Sequence, residues 1–388
     1  MSDQRIRILY FSNTQVRGGA EEHILTLLRG LDRGVFAPSL ACTPEVAEAL
    51  EPDMPDDVQV TPLRLRKPSD TRAALELKRL ISQDRAMVLH SHLFYSSLFA
   101  SPIGRLCRVP LIVETPHVRE QWRKGFKASY AVDRLFGLAV DVYIAVSEAN
   151  ARYLVESKGL PPQKILTIHN GCDLKRFDPG HRPPDGMRES LGFAPDARLL
   201  MVMARLEPQK GHRVLLAAMA LVRQRMPNVG LVCIGEGALR AELEAQAAAL
   251  GLLDCVRFVG QQTNIADWYA LSDVTVLPSF YEGLPLVAIE SLAAGRPVVA
   301  TAVDGTPEVV VDGETGLIVP PGDSPSLAEA IVSILGDVAL RCRLAIGGRQ
   351  WVLDHFSAEQ QVARTETLYK VGLRGRGYRV AIGNGVHA

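Results

Sequence analysis

The chain has 388 residues, 47% of them hydrophobic, and balances 43 Lys and Arg against 43 Asp and Glu. That length points to two domains with sizeable cores. Zero net charge excludes a molecule-wide field that would draw nucleic acid, so any anion site has to be local.

The N-terminal stretch MSDQRIRILYFSNT enters a strand over 6–12 at once, so no secretory signal is expected. No apolar run approaches the roughly 18–20 residues of a membrane span. Six scattered cysteines without a Cys-x-x-Cys pair fit reduced thiols in a cytoplasmic protein and speak against a zinc site. Further strands are expected at 87–91, 111–115, 142–147 and 165–170. Residues 173–197, rich in Pro, Gly and charge, read as a linker. A second set of strands follows at 199–204, 229–235, 256–260, 274–279 and 298–301, and 311–319 reads as a turn before a strand. Residues 357–373 read as a last helix and 372–388 as a mobile tail. Many strands are apolar throughout, the pattern of parallel strands covered on both faces. Their alternation with helices implies doubly wound α/β architecture, with domains at 1–175 and 176–356 and the helix and tail over 357–388. Two such domains facing each other would form a central cleft where strand C-termini and helix N-termini converge.

Chemistry-bearing residues fall where strands end. In NTQVRGGAEEHI, Gly18 and Gly19 allow close backbone approach and a helix start offers N–H groups to an anion. The stretch matches neither common phosphate-loop spacing, and a tight turn ahead of acidic helix-start residues explains it equally well. His90 and His92 follow one strand and His117 another. A His-x-His pair suggests a metal, yet no third ligand of obvious spacing follows and no Asp-x-Asp occurs, so a metal-independent site is expected. Over 119–134, Trp122, Phe126 and Tyr130 form a stripe beside Arg and Lys residues; a membrane-surface contact and plain core packing both fit, and Gly125 interrupts the pattern. Arg205 and Lys210 lie in MARLEPQKGH, where two cations on one diphosphate could do much of a metal's work. Gly235 and Gly237 open another strand-to-helix turn, but Arg240 stands where a dinucleotide fingerprint needs its third Gly, which argues against a dehydrogenase. Finally, SFYEGLPLVAIESLAAGRPVVAT places Glu282 and Glu290 in an otherwise apolar run that reads as a buried helix from Leu286 to Ala294, with Pro285 suited to its first turn. An unpartnered carboxylate there costs several kcal/mol.

Together these stretches resemble the retaining nucleotide-sugar glycosyltransferases of family 4. GGAE (18–21), TPH (115–117), AVSE (145–148), HNGCDLKRF (169–177), RLEPQKG (205–211), GEGALR (235–240) and the Glu-x7-Glu segment occur in the family's order as far as about Tyr369. Ala204 stands where the family often has Gly. The resemblance implies the two-domain GT-B fold, with the donor mainly on the second domain, the acceptor on the first, and the last helix crossing back to the first. It implies that Arg205, Lys210, Gly18 and Gly19 serve the donor diphosphate. Glu290, the Gly283 and Leu284 amides, Gly235 and Gly237 would serve the nucleoside and sugar. Glu282 and His117 would stand at the reacting sugar. The expected activity is hexosyl transfer from a UDP or GDP sugar to an acceptor hydroxyl with anomeric retention, without cofactor or metal. The acceptor is expected to be a cell-surface glycan on a lipid carrier, reached in the cytoplasm or at the inner membrane face, with no nucleic acid partner. A silent sugar-nucleotide-binding module, a phosphorylase and an epimerase on the same fold are the alternatives.

Overall fold

The computed structural model describes residues 5–66, 70–118 and 130–378. The chain divides into two compact units: the first runs to Gly171 and resumes at Ala358, and the second is Cys172–Ser357. The described strands number seven in the first unit and six in the second, and every pairing is parallel.

In the first unit the strands are β1 Ile6–Ser12, β2 Phe36–Cys42, β3 Gln59–Pro62, β4 Val88–His92, β5 Leu111–Thr115, β6 Val142–Ala145 and β7 Ile165–Thr167. Their order across the sheet is β3-β2-β1-β4-β5-β6-β7. β1, β4 and β5 bury nearly every side chain because helices cover both faces, which is why they read as continuous apolar runs. β2 and β3 escaped that reading. β2 carries Pro38, and β3 is short, polar and half exposed at the sheet edge. The helix Ala358–Arg374 completes this core with Val362, Leu368, Tyr369 and Leu373. The expected tail therefore begins too early at 372; residues 379–388 of it lie outside the described residues.

The second unit has β8 Arg198–Met203, β9 Val229–Ile234, β10 Val256–Gly260, β11 Val274–Leu277, β12 Val298–Thr301 and β13 Gly316–Val319, ordered β10-β9-β8-β11-β12-β13. The stretch expected as a linker, 173–197, belongs to this unit, running over its surface and anchored by buried Phe177, Phe193 and Ala197. Phe177 meets Tyr269 edge-on, centroids 5.6 Å apart, and Phe193 is buried over Gly230, where a Cβ would come within 2.4 Å of its ring.

Each sheet reverses its direction of winding once, between β1 and β4 and between β8 and β11. Ligands of open α/β sheets bind beyond the strand C-termini at such a switch point. Among the described residues no helix is long and apolar enough to cross a membrane.

Candidate active site

The loops that follow β8 and β11 are stitched together at the second unit's switch point. Gln209 receives the Phe280 N–H on its carbonyl at 2.8 Å and donates its side-chain amide to the Tyr281 carbonyl at 2.8 Å. Gly211, at φ +68°, caps the helix His212–Arg225, and a Cβ there would fall 1.9 Å from the Pro278 carbonyl oxygen. Only glycine permits that approach.

This stitching brings Lys210 Nζ to 2.6 Å from Glu282 Oε1. Ser279 Oγ donates to the same carboxylate oxygen at 2.7 Å, and the Glu282 N–H donates to Asp304 Oδ2 at 2.9 Å. Asp304 adopts φ +42°, an uncommon conformation for a side-chain-bearing residue. Glu282 is 7% exposed. The carboxylate in the apolar run thus has a cation of the same chain as its partner, where the sequence reading gave the two to different parts of a ligand. Arg205 makes its ion pair with a different carboxylate. It is half exposed and its Nη1 is 2.7 Å from Glu207 Oε1.

Pro285 sits at the N-cap of the helix Leu286–Ala293, one residue ahead of its first turn, and Leu284 is buried before it. Glu290, on that helix, accepts a 2.8 Å hydrogen bond from the buried Tyr269 hydroxyl. Burial, and then the Glu290 charge, push that phenol well above its ordinary pKa, so it stays a donor. Gly235 and Gly237 are explained by backbone packing between the loops after β8 and β9. Their Cβ atoms would lie 2.2 Å from the Ala204 and 2.5 Å from the Leu206 carbonyl oxygens.

In the first unit, Gly18 caps the helix Gly19–Gly30, and its N–H donates to Glu21 Oε2 at 3.0 Å, the one half of a capping box open to a residue without a side chain. The Gly18 amide is therefore engaged within the chain. His117, just beyond β5, is buried among three other imidazoles. Its Nε2 is 3.0 Å from His92 Nδ1, and its ring meets His23 edge-on with centroids 4.9 Å apart. His90 bridges Tyr369 Oη at 2.7 Å and Thr115 Oγ1 at 2.8 Å. His23 Nδ1 lies 2.7 Å from Asn170 Oδ1. Burial, reinforced by the neighbouring imidazoles, holds His90, His92 and His117 well below the usual pKa, and burial takes His23 to about 4. All four rings are neutral near pH 7. Among the described residues no three His, Cys, Asp or Glu side chains are arranged to hold a metal ion.

Ser279, Asp304, Tyr269, His23, Asn170 and Tyr369 escaped the sequence reading. All but Ser279, whose partner Glu282 stands three residues on, act through partners at least 21 residues away, and no local spacing signals such a pairing.

Comparison with known proteins gives this arrangement a family. The model described as Glycosyltransferase Family 4 matches residues 17–176, and the one described as Glycosyl transferases group 1 matches 185–351. The D-inositol 3-phosphate glycosyltransferase of Streptomyces bingchenggensis is 33% identical over 315 residues, covering 74% of this chain and 67% of that one. The chain belongs to the family 4 glycosyltransferases. A second relative, D-inositol 3-phosphate glycosyltransferase 2 of Catenulispora acidiphila, is 39% identical over 208 residues, spanning 51% of this chain and about half, 48%, of its own length. The structure of Anabaena Alr3699/HepE in complex with UDP and glucose superposes with a TM-score of 0.83 at 21% identity, covering 94% of this chain and 100% of that one. That likeness, with the two parallel sheets, establishes a GT-B fold for this family 4 glycosyltransferase.

Proposed function

We propose that this family 4 glycosyltransferase moves a hexosyl group from a nucleoside diphosphate sugar, a UDP sugar in the first instance, to an acceptor hydroxyl with retention at the anomeric carbon. The observation that carries the reading is the Lys210–Glu282 pair, 2.6 Å apart and mostly buried between the loops after β8 and β11. Lys210 has three N–H donors and can hold Glu282 while offering another to a diphosphate oxygen. Its charge stabilises the diphosphate as the C1–O bond breaks, without a metal. Glu282 faces the opposite change. Its carboxylate favours the cationic character that develops at C1 over the neutral sugar. The departing diphosphate takes the acceptor's proton on the face it leaves, and the acceptor oxygen bonds to C1 on that same face. Glu290 receives the ribose hydroxyls, with the Tyr269 hydroxyl fixing its rotamer. The UDP bound in the Anabaena protein supports the choice of donor base.

The acceptor in this reading is a glycan on a lipid carrier at the inner membrane face. Residues 119–129 of the basic and aromatic stretch lie outside the described residues. Beside them, Val132, Leu135 and Leu138 are exposed apolar side chains that suit a membrane surface. Flotation with anionic vesicles checks this, and absence of binding by the wild type argues against it.

The deciding experiment measures nucleoside diphosphate release from UDP-glucose and GDP-mannose with acceptor glycolipid present. Glu282→Gln and Lys210→Ala are each expected to lower turnover at least about 100-fold, and EDTA is expected to leave the wild-type rate unchanged. Near wild-type turnover in both variants overturns the assignment.

A further inference from the structure

The buried histidine group holds more than His117 alone needs. His92 ends β4, and the next residue, Leu93, adopts φ +67° and ψ 152°, a conformation essentially confined to glycine. The strain is held by the Leu93 N–H donating to the Thr115 carbonyl at 3.0 Å, across to the end of β5. Two residues beyond Thr115 stands His117. The strained bend and the bond from His92 Nδ1 to His117 Nε2 therefore tie together the two strand ends that carry these rings. The two rings meet edge to edge near one plane, centroids 5.3 Å apart and 27° between planes, as that bond requires, and His23 closes against His117 at 88°. His117 has no freedom to turn over.

Proton placement follows from hydrogen-bond accounting. A neutral imidazole carries one N–H. His92 Nε2 is buried and has no partner among the described residues. A buried lone pair left unmatched is the less rare defect than an orphaned N–H, so the His92 proton belongs on Nδ1, where it donates to His117 Nε2. The proton of His117 is then on Nδ1. We propose that His92 is a positioning residue, which fixes His117 as the Nδ1–H tautomer and so makes it a hydrogen-bond donor to an oxygen of the sugar or its diphosphate rather than a proton acceptor. This rests on the reading of His117 as part of the site. It agrees with a reaction in which the leaving diphosphate, not a histidine, takes the acceptor's proton.

Ring ¹⁵N spectra of histidine-labelled protein test the tautomer without any ligand, with His117→Phe identifying the His117 signals. The wild type should show His117 as Nδ1–H. His92→Phe should shift it toward Nε2–H or an exchanging mixture. His92→Asn, whose amide N–H takes the place of Nδ1–H, should restore it, and His92→Gln, whose amide lies at the Nε2 position, should not. An Nε2–H tautomer in the wild type, or a tautomer indifferent to His92→Phe, overturns the proposal. In the release assay, His92→Phe should lower kcat about 10- to 100-fold with the donor KM nearly unchanged, a loss of the size that misplacing a reacting group causes. His92→Asn should recover most of it. Equal loss in the Asn and Phe variants with unchanged Tm overturns the positioning role. Full activity in His117→Ala overturns the reading beneath it, whereas a slow His117→Ala beside a fully active His92→Phe overturns the positioning role alone.

Discussion

Glu282 tolerates its apolar surroundings because Lys210, Ser279 and Asp304 meet its side chain and its amide. Removing one member of a buried ion pair strands the other, at a cost of about 3–5 kcal/mol, whereas replacing both is much milder. Lys210→Met should therefore lower unfolding free energy by about 3 kcal/mol, and Lys210→Met with Glu282→Gln by markedly less than the sum of the single changes. Urea denaturation of the four proteins measures this, and strict additivity would show that the pair is not coupled. Gly211→Ala is a sharper case. Its Cβ would lie 1.9 Å from the Pro278 carbonyl oxygen at a φ of +68°, so the loops after β8 and β11 would have to part. We expect a loss of at least about 2 kcal/mol together with loss of nucleotide-sugar binding in a thermal-shift assay.

Among the elements, the strands flanking both switch points were legible because parallel strands buried on two faces leave nearly unbroken aliphatic runs, as in Ile6–Ser12 and Arg198–Met203. β3, with half-exposed residues and Pro62 at its end, leaves no such mark. The same divide separates the parts of the site. Loop positions such as Lys210 and Glu282 could be placed from strand ends and residue type. Their pairing could not, since it joins side chains 72 residues apart through a glycine contact that only the folded chain reveals. Nor does any spacing join His23, His92 and His117, which the helix Gly19–Gly30 and the ends of β4 and β5 bring together. The last helix shows what such long-range partners contribute. Tyr369 Oη sits 3.0 Å from Tyr10 Oη and 2.7 Å from His90 Nδ1. Tyr369→Phe is expected to destabilise the first unit by about 1–3 kcal/mol by leaving buried polar groups unmatched. Chemical denaturation followed by a probe in that unit checks it.

For the molecule as a whole, the buried imidazoles set the response to acid. His23 and His212 are each brought to about 4 by burial, against an unfolded value near 6.5. The unfolded chain binds these protons first as pH falls, so stability is fully present above about pH 6.5 and declines toward pH 4, by up to about 1.4 kcal/mol per unit for each such group. Urea midpoints should fall steadily between about pH 7 and pH 5, and a flat profile would show that these rings are not buried neutral. The division of the chain carries a further consequence. The second unit is one unbroken segment, but the first lacks Val362, Leu368, Tyr369 and Leu373 until the second has been made. On the ribosome the half that begins first must finish last. Its apolar slot stays open while the half encoded in the middle matures, and truncation upstream of Ala358 should leave a nascent product that chaperones retain and proteases clear.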